Sequence, residues 1–393
     1  MKKGLIPLLV VLALLMPRAG AAQADAPMED SPPITLESPS CILTEAGTGR
    51  VIFEKNADER RPVASVTKIM TILLTLEAID DGRVSENDSV LVSPRASGMG
   101  GSQVFLDANR SYKLSDLLKS VIVASANDAA VALAEHLCGA EEAFVRRMNE
   151  RAAELGLTNT HYVNCTGLPA EGHYTTARDV ARLSAQLDAH PLYYTFSTIW
   201  MDELRHSSGR ITQLTNTNRL VRFYPGCDGY KTGSTNEARY CMSATAKKDG
   251  MRLIAVVLGA PAGQTRFDEA RAMLEYGFSN YQLVTPVREG DQLGMDVPVK
   301  LGAQDSVPAV SGGTCSLLVR RGETADISLE VARVERVSAP VRVGNVLGEI
   351  RVKQGDAVVA TIPALAGRTV ELPGMIGSLL RIRDRFMPGI AGD

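Results

Sequence analysis

The strongest constraint in this chain is the run Ile69-Met70-Thr71-Ile72-Leu73-Leu74-Thr75-Leu76, which is apolar on nearly every side when wound as a helix. A helix of that kind has no solvated face and must be enclosed by other elements. Pro62-Val63-Ala64-Ser65-Val66-Thr67-Lys68 precedes it and Asp80-Asp81-Gly82 closes it, which places the helix start near Ser65. The unpaired backbone N–H groups and the positive dipole end of a first turn favour a developing oxyanion there. The i, i+3 spacing sets the Lys68 amine on the same face, roughly 5–6 Å from Ser65. A serine hydroxyl is inert at neutral pH unless a neighbour takes its proton, and a lysine can do so only if burial has lowered its pKa. By itself the motif is weak, because roughly one or two S-x-x-K matches arise by chance at this length. A capping serine beside a solvated lysine is then the plainer reading.

Partners elsewhere in the chain decide the matter. Ser125-Ala126-Asn127 falls on a short break between two helical segments, where a side chain can face a cleft. Lys231-Thr232-Gly233-Ser234 opens a run that ends in strand-like residues. An S-x-N match is expected about once by chance, and a K-T-G match about once in ten such chains. All three in this order, the first opening a buried helix and the third on an edge strand, resemble the S-x-x-K, S-x-N, K-T-G set of the penicillin-recognising serine acyl enzymes.

The flanking residues narrow that resemblance. Pro62-Val63-Ala64-Ser65-Val66-Thr67-Lys68, Ala124-Ser125-Ala126-Asn127-Asp128, Asn164-Cys165-Thr166-Gly167-Leu168-Pro169 and Asp228-Gly229-Tyr230-Lys231-Thr232-Gly233 are similar to stretches of the D-alanyl-D-alanine carboxypeptidases among low-molecular-mass penicillin-binding proteins. The resemblance runs over residues 36–388, strongly as far as residue 282. It implies a β-lactamase/transpeptidase-like domain, a smaller β-domain and a terminal amphipathic helix. It also implies a serine-type hydrolase that removes the terminal D-Ala from peptidoglycan stem pentapeptides through an acyl-enzyme on Ser65. β-Lactam antibiotics such as penicillin would acylate the same serine as inhibitors.

The roles that kinship and chemistry imply are Lys68 as general base and Ser125, held between Lys68 and Lys231, as relay of a proton to the leaving amine. Asn127 would hold the substrate amide, Lys231 would supply positive charge, and the backbone N–H groups of Ser65 and Ser234 would form the oxyanion hole. The terminal carboxylate would meet Thr232, Ser234 and, by resemblance, Arg266, with Gly233 in the same substrate-binding strand. On pattern alone Arg266 is a capping or solvated helix residue. The chain departs from the family at Ser234, where many relatives carry His, and at Arg239, where relatives often carry Gly; both bear on substrate choice. His161 and His173 are read as structural. No cofactor is expected, and no metal, since no ligand cluster is visible.

Other readings weigh less. A class A β-lactamase shares S-x-x-K and K-T-G but deacylates with a glutamate-activated water, and no Glu-x-x-Leu-Asn sequence lies between the second and third motifs. A muropeptide endopeptidase of the same fold stays open. The reading from another class is a non-catalytic β-lactam sensor or wall-binding module; a sensor would need transmembrane helices and a signalling domain, for which the pattern offers no segments.

At 393 residues the chain exceeds one typical domain. Residues 1–24 have a basic start, an apolar core too short to anchor and small-residue cleavage patterns, as a secretory signal peptide does. Its removal takes away Lys2, Lys3 and Arg18 and no acid, moving the formal charge from −3 to −6 and arguing against nucleic acid as a partner. Residues 25–39 are a polar lead-in. Residues 40–282 read as the catalytic domain, α+β in class, with a hairpin around Gly47-Thr48-Gly49, a helical middle and strands from both ends of the segment pairing in one antiparallel sheet. Residues 284–373 turn to short alternating strands at 297–300, 315–319, 327–334, 347–352 and 358–362, a β-rich second domain. The six cysteines show no metal or disulfide framework and are expected to be mostly free, with a Cys227–Cys241 pairing left open.

Residues 374–388 place Met375, Ile376, Leu379, Leu380, Ile382, Phe386 and Met387 within one helical arc, with Ser378, Arg381, Asp384 and Arg385 opposite and only Arg383 intruding. A helix of about 20 Å cannot span a bilayer but can lie in its interface or dock on the β-rich domain; the pattern alone does not choose, and the resemblance to carboxypeptidases that end in a membrane-associated helix implies the membrane surface. Export would thus leave the protein at the outer face of the cytoplasmic membrane or in the cell wall. Protein ending at Leu372 is expected to keep its activity on a soluble peptide but to stop sedimenting with anionic vesicles. Equal sedimentation of truncated and full mature forms would refute this anchor.

Overall fold

The computed structural model describes residues 34–322 and 326–374. The expected signal peptide, part of the lead-in and the amphipathic segment 375–388 lie outside the described residues. Among the described residues no helix is long and apolar enough to cross a membrane.

The chain divides into two compact units, one of residues 24–285 with 316–325 and one holding 286–315 and the residues from 326 on. The first opens with the expected hairpin, β1 (Ser40–Glu45) and β2 (Val51–Lys55). A 3-10 turn (Ala64–Thr67) leads into α1 (Lys68–Asp80), followed by β3 (Ser89–Leu91), a short α2 (Pro94–Ser97) and β4 (Ser111–Lys113). Then come α3 (Leu114–Ala124), α4 (Asn127–Cys138), α5 (Glu141–Glu154), α6 (Ala177–Gln186) and α7 (Pro191–Ser197). The period changes with β5 (Met201–Arg205), β6 (Ile211–Thr215), a short α8 (Leu220–Phe223), β7 (Cys227–Thr235), β8 (Arg239–Lys248) and β9 (Met251–Ala260). Finally α9 (Gly263–Asn280) runs into β10 (Tyr281–Val287).

Strands from the two ends of this unit form one five-stranded antiparallel sheet in the order β2-β1-β9-β8-β7. The two-residue side-chain period of β1 and β9 divides their apolar residues between its faces. Ile42, Ile254, Val256 and Leu258 join the helical core of α1, α3, α4 and α6, whereas Cys41, Leu43, Leu253, Ala255 and Val257 pack with Phe267, Ala270, Met273 and Leu274 of α9. A sheet covered on both sides is rigid, and β7 lies at its edge. As its apolar circumference demands, α1 is buried from Lys68 to Leu76.

Several local expectations are corrected. Ser65 lies in the 3-10 turn, and the α-helix proper begins at Lys68. β4 leads straight into α3, which starts at Leu114 without a side-chain cap. In α6 the cap is Thr176, whose Oγ1 accepts the Asp179 N–H. All six cysteines are free, so Cys227 and Cys241 are not paired.

The second unit is a six-stranded sheet in the order β14-β16-β17-β12-β11-β15, built from β11 (Gln292–Lys300), β12 (Ser306–Ser311), β14 (Ile327–Arg333), β15 (Val337–Ser338), β16 (Val346–Gln354) and β17 (Ala357–Ala366). Val297, Val307, Leu347 and Ala366 lie at the centre of its core. The strand expected at 315–319, β13 (Cys315–Arg320), does not join this sheet. It pairs with β10, and Leu318 packs in the core beside α9, because its apolar residues find a buried surface there.

One glycine decides how the loop after α5 meets the start of α1. Gly167 has φ +81°, and a Cβ there would fall 1.9 Å from the Ala64 carbonyl oxygen. Gly167→Ala should therefore cost roughly 2–5 kcal/mol from left-handed strain plus overpacking. The midpoint of urea unfolding reads this directly, and an unchanged midpoint would show that the loop yields.

Candidate active site

The 3-10 turn eclipses residues i and i+3, so Ser65 and Lys68 stand closer than an α-helical first turn would place them. Lys68 Nζ lies 2.9 Å from Ser65 Oγ, in place of the expected 5–6 Å, and donates to the Thr166 carbonyl at 2.7 Å. The Lys68 side chain is fully buried, and burial pushes its amine down to about 7; Cys165 and Asp128 oppose this only in part. Ala64, immediately before the serine, has φ +49°, a left-handed strain costing about 1–2 kcal/mol that the packing against Gly167 and β7 holds in place.

The second motif sits where α3 ends and α4 begins. Ser125 takes the left-handed conformation, φ 62°, as the C-cap of α3. Asn127 starts α4; its Nδ2 donates to the Gly100 carbonyl at 2.7 Å and its own N–H to the Ser102 carbonyl. Among the described residues neither Ser125 Oγ nor Asn127 Oδ1 has a hydrogen-bond partner although both are buried. Buried polar atoms left unpaired cost stability, and two of them within one three-residue motif suit a polar ligand as their missing partner. Asp128, wholly buried, accepts the N–H groups of Val104 and Leu106 and so ties the 100–106 loop to α4.

The third motif runs along edge strand β7. A Cβ at Gly233 would lie 2.5 Å from the Val63 carbonyl oxygen and 2.8 Å from the Ser65 nitrogen, so only glycine lets the strand pass this close to the serine. Lys231 is buried and donates to the Thr232 carbonyl at 3.1 Å; burial, then the nearby Lys68 and Arg266 charges, hold its amine well below the ordinary lysine range. Thr232 is buried and Ser234 exposed. Arg266, near the start of α9, donates from Nη1 to the carbonyls of Gly233 at 2.9 Å and Cys241 at 3.3 Å, and its guanidinium lies over the rings of Tyr240 and Phe267. It is thus neither a cap nor a solvated side chain. Desolvation lowers its pKa from the ordinary arginine value.

Of the predicted residues, Lys68 meets Ser65, Gly233 passes against its backbone, Lys231 stands near Lys68, and Arg266 bonds the Gly233 carbonyl. Sequence reasoning passed over the Thr166 carbonyl, the Gly167 approach and the Asp128 anchor; Gly167 and Asp128 stood inside quoted motifs, but a carbonyl leaves no trace in residue type. His161 hydrogen-bonds the Gly172 carbonyl through Nδ1. His173 Nδ1 accepts the Val163 N–H, so Nε2 carries the proton toward Thr67 Oγ1 at 2.8 Å.

A serine–lysine pair at the head of a buried helix, flanked by an S-x-N turn and a K-T-G edge strand, defines a serine acyl enzyme of the penicillin-recognising class. Residues 26–262 match the family described as D-alanyl-D-alanine carboxypeptidase, and residues 281–372 match the C-terminal domain of penicillin-binding protein 5. D-alanyl-D-alanine carboxypeptidase DacF of Bacillus subtilis is 39% identical over 380 residues, covering 96% of this chain and 97% of that protein. DacC of Escherichia coli, of the same description, is 34% identical over 357 residues, covering 87% and 88%. Penicillin-binding protein 5 from Haemophilus influenzae matches with a TM-score of 0.74 at 28% identity, over 87% of this chain and 100% of that one. The chain belongs to the D-alanyl-D-alanine carboxypeptidase family of low-molecular-mass penicillin-binding proteins.

Burial pushes the His173 imidazole down to about 4, with His161 adding to the effect. An unfolded histidine takes its proton near 6.5, so between these values the unfolded state binds more protons and stability falls as the pH drops. Urea unfolding from pH 7 to 4 should show that loss, and His173→Asn should flatten it by about one proton. An unaltered slope would place the proton uptake elsewhere.

Proposed function

We propose that this protein is a serine-type D-Ala-D-Ala carboxypeptidase acting on peptidoglycan stem pentapeptides outside the cytoplasm, with Ser65 as nucleophile and Lys68 as general base. Neutral Lys68 takes the Ser65 hydroxyl proton as Oγ attacks the carbonyl carbon of the penultimate D-Ala. The oxyanion is held by the N–H groups of Ser65 and Ser234, which the close passage of Gly233 brings together. Collapse of the tetrahedral intermediate breaks the peptide bond, and Ser125 relays the proton held by Lys68 to the departing D-Ala amine, leaving Lys68 neutral again. Water then cleaves the ester, releasing the shortened peptide and free Ser65. Asn127 Oδ1 accepts from the substrate amide. Lys231, Thr232, Ser234 and Arg266 hold the terminal carboxylate; the Arg266 bonds to the Gly233 and Cys241 carbonyls support a role that also fixes the strand. β-Lactams enter the same path as far as the acyl-enzyme and act as inhibitors.

The observation that carries this reading is the 2.9 Å contact between Ser65 and an amine that burial holds near neutrality. An ordinary lysine would stay protonated at pH 7 and could not serve as base.

Penicillin should add to Ser65 alone, seen by mass spectrometry of the digested adduct. Ser65→Ala should lower D-Ala release by about 10⁴-fold or more and abolish labelling; an adduct on another residue would overturn the assignment. The acylation rate should fall about tenfold per pH unit below pH 7 as Lys68 takes up its proton, and level off above it. A flat profile between pH 5 and 8 would exclude Lys68 as the base.

A further inference from the structure

The Thr166 carbonyl that receives the Lys68 amine is held by a chain of contacts reaching the surface. Glu141, the first residue of α5, has a side chain only 6% exposed, and its Oε2 meets Arg95 Nη2 of α2 at 2.6 Å. Its Oε1 accepts the backbone N–H of Cys165 at 3.1 Å. The Cys165 carbonyl accepts from Thr71 Oγ1 of α1 at 2.7 Å, and the next N–H groups, of Thr166 and Gly167, are taken by Asn164 Oδ1. The Cys165–Thr166 peptide is thereby fixed at both ends, with the following carbonyl directed at Lys68 Nζ.

We propose that Glu141, latched by Arg95, is a positioning residue: it holds the Thr166 carbonyl against the Lys68 amine and so aims the amine at Ser65. A neutral amine has two N–H donors and one lone pair. Committing one N–H to Thr166 turns the lone pair toward the serine hydroxyl, the orientation that proton abstraction needs. A charged acceptor makes a stronger bond to the Cys165 N–H than a neutral one, and the Arg95 partner keeps that charge in register. Loss of the acceptor frees the loop, displaces the carbonyl and admits water to the amine. Lys68 faces Asp128 from α4, Cys165 from the loop and Lys231 from β7, none of which these changes would remove.

The proposal rests on Lys68 as the base. Its test is acylation of the mature protein by a fluorescent penicillin from pH 5 to 9, with circular dichroism confirming the fold of each variant. Glu141→Ala should acylate about tenfold or more slowly, as a misplaced catalytic group does. Its acid limb should move up by about half a pH unit, since a wetter amine holds its proton more tightly. Glu141→Gln, which keeps an acceptor for the Cys165 N–H, should recover most of both. Arg95→Ala, at a side chain 54% exposed, should move both in the direction of Glu141→Ala and by less. A wild-type rate and limb in Glu141→Ala, a slower rate with an unmoved limb, or a Gln variant no better than Ala would each overturn the proposal. If Glu141→Ala does not fold, an unchanged rate and limb in Arg95→Ala overturns it instead. Failure of the wild-type protein to be acylated at Ser65 would refute the proposed function itself.

Discussion

The buried Lys68 amine is the constraint on which the rest of the catalytic unit depends. Holding it charged at this depth would cost about 5 kcal/mol relative to water, and the amine responds by giving up its proton near neutrality. Such a site exists only if the surrounding structure excludes water without collapsing onto the amine. The all-round burial of α1 supplies the first condition, and the Thr166 carbonyl with Ser65 Oγ supplies the second.

Strain and unsatisfied polarity are both present in the first two motifs. Ala64 and Ser125 occupy left-handed backbone that costs a non-glycine residue free energy, and Ser125 Oγ and Asn127 Oδ1 are buried without a protein partner. The helix and sheet faces of the unit pack their apolar residues into two cores, one on each side of the sheet. A rigid sheet covered on both sides can hold these local costs, because β7 has no freedom to retreat from the 3-10 turn and Gly233 removes the side chain that would force it to. The family's chemistry is thus set on elements whose geometry a distant core maintains.

The second unit follows a different logic. Its strands alternate between a small valine-rich core and solvent, and among the described residues every element after β10 is a strand. Its sequence carries no cluster of chemically matched side chains, and the match to the penicillin-binding protein 5 C-terminal domain extends over residues 281–372. One segment escapes that division: β13, alternating like its neighbours in sequence, pairs with β10 and buries Leu318 beside α9.

The sequence by itself determined the buried helix, because an apolar circumference admits no other placement, and it determined the edge position of the K-T-G strand and the pairing of terminal strands in one sheet. It also named the residues around Ser65, since S-x-x-K, S-x-N and K-T-G are legible as residue types at short spacing. Tertiary structure alone decided how close they come. The 3-10 turn that brings Lys68 within 2.9 Å of Ser65 follows from the left-handed Ala64 packed under Gly167, a contact between residues about a hundred positions apart. The Thr166 carbonyl, the Glu141 carboxylate behind it and the Arg266 bonds to β7 were illegible for the same reason. Each is a hydrogen bond to backbone, and a backbone group carries no sequence signal until the fold has chosen its partner.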